Sequence, residues 1–286
     1  MPDPRYPLYV ISKGRADSRL TVKAFDEMAV PYRIVVEPQE YEAYAAVIDP
    51  QRIITTPFSN LGMGSIPVRN FVWEHAEAEG FHRHWVVDDN IKAFYRYNRN
   101  LKVPVRSPAI FAAMEDFTDR YENIAISGPN YFMFQTRKTL SPPLYINTRV
   151  YSCILIDNRL PFRWRGRYNE DTDLSLRALK AGYCTILFQA FLAEKMTTMT
   201  MHGGNTDDLY RQDSEFDGRW EMAESLRRQH PDVVKVTRKW GRWQHSVNYK
   251  PFKANTLIRR PDVDWDTLES ATNEYGLRLT AYAKPT

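Results

Sequence analysis

Asp88-Asp89-Asn90 ends the apolar run Trp85-Val86-Val87. A buried strand that runs out into consecutive carboxylates sets oxygen ligands at the carboxyl edge of a sheet. In open α/β sheets that edge is where ligands bind. Hard divalent cations such as Mg²⁺ and Mn²⁺ take carboxylate, carbonyl and water oxygens, and bridge protein carboxylates to substrate phosphates. An Asp pair after a strand is, in isolation, equally well explained as a solvated turn. Three further groups bear on the choice. Asn169-Glu170-Asp171-Thr172-Asp173 opens a helix, where acids offset the helix dipole by about 0.3–1 kcal/mol each. A carboxylate such as Asp171, with Glu170 beside it, can also serve as general base for an attacking hydroxyl. His202 precedes Gly203-Gly204, and neutral imidazole is a metal ligand as well as a structural side chain. Gly62-Met63-Gly64-Ser65 feeds a helix N-terminus, whose amides favour phosphate. Its spacing is neither a P-loop nor a full dinucleotide fingerprint.

The elements that position these residues alternate between strand and helix. Leu8–Ile11, Tyr32–Val36 and Arg52–Thr56 read as strands, with helices over Arg19–Met28 and Tyr41–Val47 between them. A helix follows the glycine loop, with Pro67 in its first turn, and His84–Val87 is the strand that delivers Asp88. Strands separated by helices imply a mostly parallel sheet with helices on both faces. Further on, Ser107–Tyr121 reads as a helix, Ile124–Ser127 as a strand, and Tyr145–Ile156 as a pair of strands. Asn169–Ala181 is a helix, capped by Asn169 and stopped by Gly182. Cys184–Phe188 is a strand, and a helix lies near Ser214–Arg228.

Composition sets bounds on function. The chain has 286 residues, 26% of them charged, and no stretch approaches 18 consecutive apolar residues, which argues against a transmembrane helix. The N-terminus lacks the apolar core of a signal peptide. Cys153 and Cys184 both lie in apolar runs and read as buried thiols in a reducing compartment, not as a disulfide framework. The net charge of +4 is mild, but Lys235 to Arg260 carries eight Lys or Arg and no acid. Lys235, Arg238, Lys239 and Arg242 alternate there with Trp240 and Trp243, pairing phosphate-neutralising charge with rings on which bases stack. A shorter stretch with Arg163, Trp164, Arg165 and Arg167 runs straight into Asp171. A solvated face with ordinary core aromatics explains the same composition. The adjacency to Asp171 favours an anionic polymer as acceptor.

Taken in order, these elements resemble a GT-A fold glycosyltransferase from Leu8 to Asn205: a Rossmann-like α/β fold with a small basic C-terminal extension. More narrowly, the stretch from Pro57 to His75 and His84-Trp85-Val86-Val87-Asp88-Asp89-Asn90-Ile91 resemble the TET-associated glycosyltransferases of bacteriophages. The resemblance implies transfer from a UDP-sugar to 5-hydroxymethylcytosine in DNA, with Mn²⁺ or Mg²⁺, in the cytoplasm of a host cell. It implies that Ser12, Lys13, Arg15, Glu37 and Gly64 surround the nucleotide, that Arg69 and Asn70 contact it or brace the metal loop, and that Asp88 meets the ribose. Asp89, Asn90 and His202 would face the metal, and Asp171 with Glu170 would supply the base. Asn90 departs from the pattern, because many GT-A enzymes place an aspartate there. The implied organisation is a catalytic domain over residues 1–205, divided near residue 95 into nucleotide-sugar and acceptor halves, with the extension over 206–286 packed on it. Two other readings fit the same residues: a GT-A enzyme with a protein, glycan or lipid acceptor, and a non-catalytic nucleic-acid-binding protein on a transferase scaffold.

Overall fold

The computed structural model describes residues 2–98, 100–136, 141–196, 217–270 and 272. Ten strands form one sheet: β1 (Leu8–Ile11), β2 (Arg33–Val36), β3 (Ile53–Thr55), β4 (Arg83–Asp88), β5 (Ile91–Asn98), β6 (Leu101–Pro104), β7 (Ile124–Tyr131), β8 (Leu144–Ile146), β9 (Cys153–Asp157) and β10 (Cys184–Lys195). Their order is β3-β2-β1-β4-β9-β7-β10-β5-β6, with β8 also on β10. Only β5, β8 and β9 run against the others. Because β1, β2, β4, β7 and β10 point the same way, their carboxyl ends share one edge. That edge gathers Ser12, Glu37, Asp88, Tyr131 and Lys195, and β9, running backwards, starts there just after Ser152.

The faces follow the two-residue period of a strand. Leu8 and Val10 of β1 pack with Val22, Phe25 and Met28 of α1 (Leu20–Met28) and with Phe111 and Met114 of α4 (Ala109–Thr118). Tyr9 and Ile11 point the other way, to Val72, Trp73 and Ala76 of α3 (Ile66–Ala78) and to Leu174 and Ala178 of α5 (Glu170–Lys180). Helices thus cover both faces, and a short α2 (Tyr41–Ala45) lies before β3. Beyond β10, α6 (Gly218–Gln229) leads into the antiparallel pair β11 (Val234–Lys239) and β12 (Arg242–Val247), and α7 (Trp265–Ser270) follows. Leu226, Val233, Val234 and Phe252 of this region pack on Leu176 and Leu179 of α5. In the described residues no helix is long and apolar enough to cross a membrane. Cys153 and Cys184 are free and buried.

Several local expectations are corrected. The Tyr145–Ile156 region does not pair with itself: β8 joins β10, and β9 is inserted between β4 and β7. The β5–β6 hairpin departs from the expected elements: in β5 the buried Phe94 lies on the same side as Lys92 and Arg96, so no clean apolar alternation marks the strand. The strand starting at Cys184 continues to Lys195. Asn169 has φ of 55° and makes no capping bond; its Nδ2 instead donates to the Met222 carbonyl of α6.

Backbone crowding at the centre yields a stability prediction. A Cβ on Gly128 would lie 2.2 Å from the Cys153 carbonyl oxygen and 2.7 Å from Val150 Cγ1. Gly128→Ala is expected to cost roughly 1–3 kcal/mol through overpacking, seen as a lower urea midpoint.

Candidate active site

At the shared carboxyl edge lies a cavity of about 360 Å³. The β1–β4 register sets Ile11 beside Asp88, so Ser12 and Asp89 meet where both strands end. Ser12 Oγ donates to Asp89 Oδ2 at 2.6 Å, and Arg15 Nη1 donates to Asp89 Oδ1 at 2.5 Å. Buried Tyr44 ties the same turn together through Ser12 Oγ and the Arg15 amide. Glu37, at the end of β2, accepts from Lys13 Nζ, Gln39 Nε2 and the Asn60 amide. Burial opposes its charge, but these donors prevail and hold its pKa low. Ser12, Lys13, Arg15, Glu37, Gly64, Arg69 and Asp88 all line the cavity. Asn70 does not line it. Its side-chain amide donates to the Trp164 carbonyl and accepts from the Trp164 amide, which makes it a brace for the loop before α5.

Arg69 is the centre of the charge arrangement. It is 2% exposed, and its guanidinium lies over the Trp164 ring at 4.6 Å. Its Nη2 donates to Asp88 Oδ1 at 3.0 Å, Nε lies 3.6 Å from Glu170 Oε1, and Nη1 lies 3.6 Å from Asp171 Oδ1. Ser65, before α3, caps nothing; it donates to Glu170 Oε1 and accepts from Arg69 Nε. Lys195 Nζ donates to Asp88 Oδ2 and to Ser152 Oγ, both at 2.7 Å. The two acids respond oppositely. Burial pushes Asp88 up, but Lys195 and Arg69 together overcome it and hold its pKa near 2. At Asp171 burial dominates over Arg69, and with Glu170 and Asp88 nearby its pKa rises to about 7. Asp171 Oδ2 accepts from the Ser152 amide, while Oδ1 is buried and has no hydrogen-bond partner among the described residues. A carboxylate poised near neutrality, with one oxygen paired only by the longer contact to Arg69, is suited to accept a proton from a bound hydroxyl.

The donor set matches a hard divalent cation in ligand type. Asp89 lines the cavity, each of its oxygens keeps a second lone pair, and Asn90 Oδ1 is buried without a partner among the described residues. Burial raises the Asp89 pKa against the pull of Arg15 and Ser12, as expected of an acid that would gain from a further positive charge. Three clustered His, Cys, Asp or Glu side chains spaced for a metal do not occur among the described residues. His202 lies outside those residues.

The basic residues divide into two groups. Arg163 clamps both oxygens of Glu77 at 2.8 Å, and Arg165 pairs with buried Asp173, which also meets His230. Trp164 is 3% exposed and packs under Arg69, so it offers no free face to a base; its place in the core corrects the expectation from composition. Arg167 stays exposed, over the Tyr168 ring. The β11–β12 hairpin is different. Lys235, Arg238, Lys239 and Arg242 are exposed along it, and Arg238 lies over the Trp243 ring. Its tip is Trp240-Gly241, with φ of 50° and 72°, the double left-handed geometry of a tight hairpin turn. Trp240 is 86% exposed there.

Sequence reasoning missed Lys195, Tyr131, Tyr151 and Ser152. Lys195 carries the same signal as Asp88, a charged residue ending an apolar strand, but the apolar run Cys184–Phe188 predicts an end seven residues earlier. Tyr131 stacks on Tyr151 with ring centres 5.4 Å apart, and Tyr131 and Ser152 share a 2.6 Å hydrogen bond at the cavity wall.

Comparison with known proteins adds the following. No curated protein matches the sequence. A solved structure from Desulfovibrio desulfuricans G20, described as a nucleotide-diphospho-sugar transferase, is similar at a TM-score of 0.40 and 11% identity, over 79% of this chain and 98% of that one. A family model described as TET-Associated Glycosyltransferase matches residues 6–204, which hold the whole sheet and nearly all of the cavity wall. The chain belongs to the TET-associated glycosyltransferases.

Proposed function

We propose that the protein transfers a sugar from a UDP-sugar to the hydroxyl of 5-hydroxymethylcytosine in DNA, inverting the anomeric carbon. The observation that carries the chemistry is Asp171: buried, raised to about 7, with an Oδ1 that accepts no hydrogen bond among the described residues, at a cavity that also holds Arg69 and Lys195. The uridine rests against the turn from Ser12 to Arg15 and against Glu37, and the diphosphate reaches toward Gly64, Arg69 and Lys195. The acceptor hydroxyl oxygen forms a bond to the anomeric carbon as its proton passes to Asp171 Oδ1. The bond from that carbon to the diphosphate oxygen breaks, and its electron pair leaves with UDP. Arg69 and Lys195 offset the developing charge from fixed positions. A divalent cation would add Lewis-acid charge at the same leaving group; Asp89 and Asn90, with His202, would hold it.

The exposed hairpin supplies the reading of the acceptor. Four cations and an outstanding Trp at a tight turn suit a phosphate backbone and its bases. Trp240→Ala is expected to cost about 1–3 kcal/mol of DNA binding, measured by fluorescence anisotropy, with UDP-sugar affinity unchanged. Binding should weaken steeply with salt, and the slope should flatten when Arg238 and Arg242 are replaced by Ala. The reading as a whole is tested by UDP release. Release that depends on hydroxymethylated DNA, and not on the unmodified duplex, supports it. Release driven only by a protein or glycan acceptor would remove DNA from the account.

A further inference from the structure

A second cavity, of about 530 Å³, adjoins the first. Tyr151 lines both, and the Ser152 amide next to it holds Asp171. The volume is in the range of small-molecule sites. Tyr145 and Phe134 present exposed aromatic surface at its wall, and Arg149 lies over Tyr151 at 4.7 Å. Its floor is made by Asn130 and Gln189. Gln189 is there because β10 bulges. Phe188 pairs with Pro129 and Leu192 with Asn130, so β10 advances four residues while β7 advances one. The amides of Gln189 and Ala190 turn away to the Pro143 carbonyl. Bulges of this kind re-aim side chains beside functional sites.

The hydrogen bonds fix which way the Gln189 amide faces. The Tyr131 backbone N–H can only donate, and it donates to Asn130 Oδ1 at 2.8 Å. Asn130 Nδ2 must then face Gln189, and it donates to Gln189 Oε1 at 3.0 Å. Gln189 Nε2 is left as a donor. Gln189 is 1% exposed, and Nε2 has no partner among the described residues. A buried donor without an acceptor is unfavourable until something supplies one. Cytosine carries an unprotonated N3 beside O2, both acceptors. Uracil carries N3–H at the same place, which would set donor against donor.

We propose that this cavity takes the extruded pyrimidine of the acceptor strand, and that Gln189 reads its N3, selecting 5-hydroxymethylcytosine over 5-hydroxymethyluracil. Base extrusion is the general solution for chemistry on a stacked base. The proposal rests on the DNA-acceptor reading above and assigns its subsite. With the ring seated against Tyr151, the 5-hydroxymethyl arm extends past that side chain toward Asp171.

The test uses the full chain, the UDP-sugar that supports transfer, and two oligonucleotides that differ only in carrying 5-hydroxymethylcytosine or 5-hydroxymethyluracil. Wild type is expected to favour the cytosine substrate in kcat/KM by at least about tenfold, the worth of one good hydrogen bond. Gln189→Glu replaces the donor with an acceptor and is expected to lower that ratio at least about tenfold. Gln189→Ala should lower kcat/KM on the cytosine substrate and flatten the preference. Calorimetric UDP-sugar affinity checks that each variant is folded. An unchanged ratio in both folded variants overturns the proposal, and so does a wild type that uses the two bases equally, whatever the variants do. A wild type that transfers to neither base overturns the DNA reading itself.

Discussion

Replacing Asp171 with Asn is expected to lower the transfer rate by roughly 10²–10⁴-fold while UDP-sugar still binds. The amide keeps the shape and can still accept from the Ser152 amide, but it cannot take a proton. In wild type the acid limb of the pH–rate profile should fall near 7, with activity lost as pH drops and Asp171 becomes protonated. The same residue should show an opposite effect on stability. Its folded pKa is raised from 3.8 to about 7, chiefly by burial. Between those values the folded state binds more protons than the unfolded state, so wild-type stability falls as pH rises through that window. Asn does not titrate. Thermal melts of the two proteins should therefore nearly coincide close to pH 4 and diverge toward pH 8, with the variant the more stable. A variant that kept wild-type turnover would remove Asp171 from the mechanism. A stability gap that ignored pH would contradict the buried, raised carboxyl.

The second large effect concerns Arg69, one buried cation shared by Asp88, Glu170 and Asp171. Arg69→Ala leaves these acids without their central partner and removes the ring contact with Trp164. Stranding buried charge in this way costs about 3–5 kcal/mol, so the urea midpoint at pH 8 should fall markedly. The deficit arises from ionised carboxylates, and it should shrink at pH 5, where Asp171 is protonated. Arg69→Lys should recover only part of the loss, because an ammonium cannot reach three acids with the planar fork of a guanidinium. Equal deficits at both pH values would mean that lost packing, not charge, sets the effect.

What the sequence made legible, and what it did not, has a physical pattern. The first four parallel strands were readable because each is a short apolar run between polar turns, and the loop-helix unit from Gly62 announced itself through Gly and Pro. With strand direction known, one sheet edge must collect Ser12, Glu37 and Asp88, and it does. The far wall of the cavity was harder. β9 runs antiparallel into the middle of the sheet, and the residues just before it, Tyr151 and Ser152, reach the cavity through a pairing that no local pattern specifies. Gln189 sits in a bulge, which breaks the two-residue period that reveals strands. Trp164 and Trp240 both lie in basic stretches of the sequence, yet one is core and the other stands out in solvent. The difference lies in the Trp164 backbone held by Asn70 and the Arg69 guanidinium over its ring. Composition shows only that both are tryptophans in basic stretches.

The central claim is tested most directly by the mass of the product. The protein is incubated with Mn²⁺, a panel of UDP-sugars and DNA containing 5-hydroxymethylcytosine, and the DNA is digested to nucleosides for mass spectrometry. A hexose- or N-acetylhexosamine-sized gain on the hydroxymethylated nucleoside, absent with Asp171→Asn, is the expected result. Unmodified nucleosides with every donor, alongside UDP released in the presence of some other acceptor, would contradict a DNA acceptor.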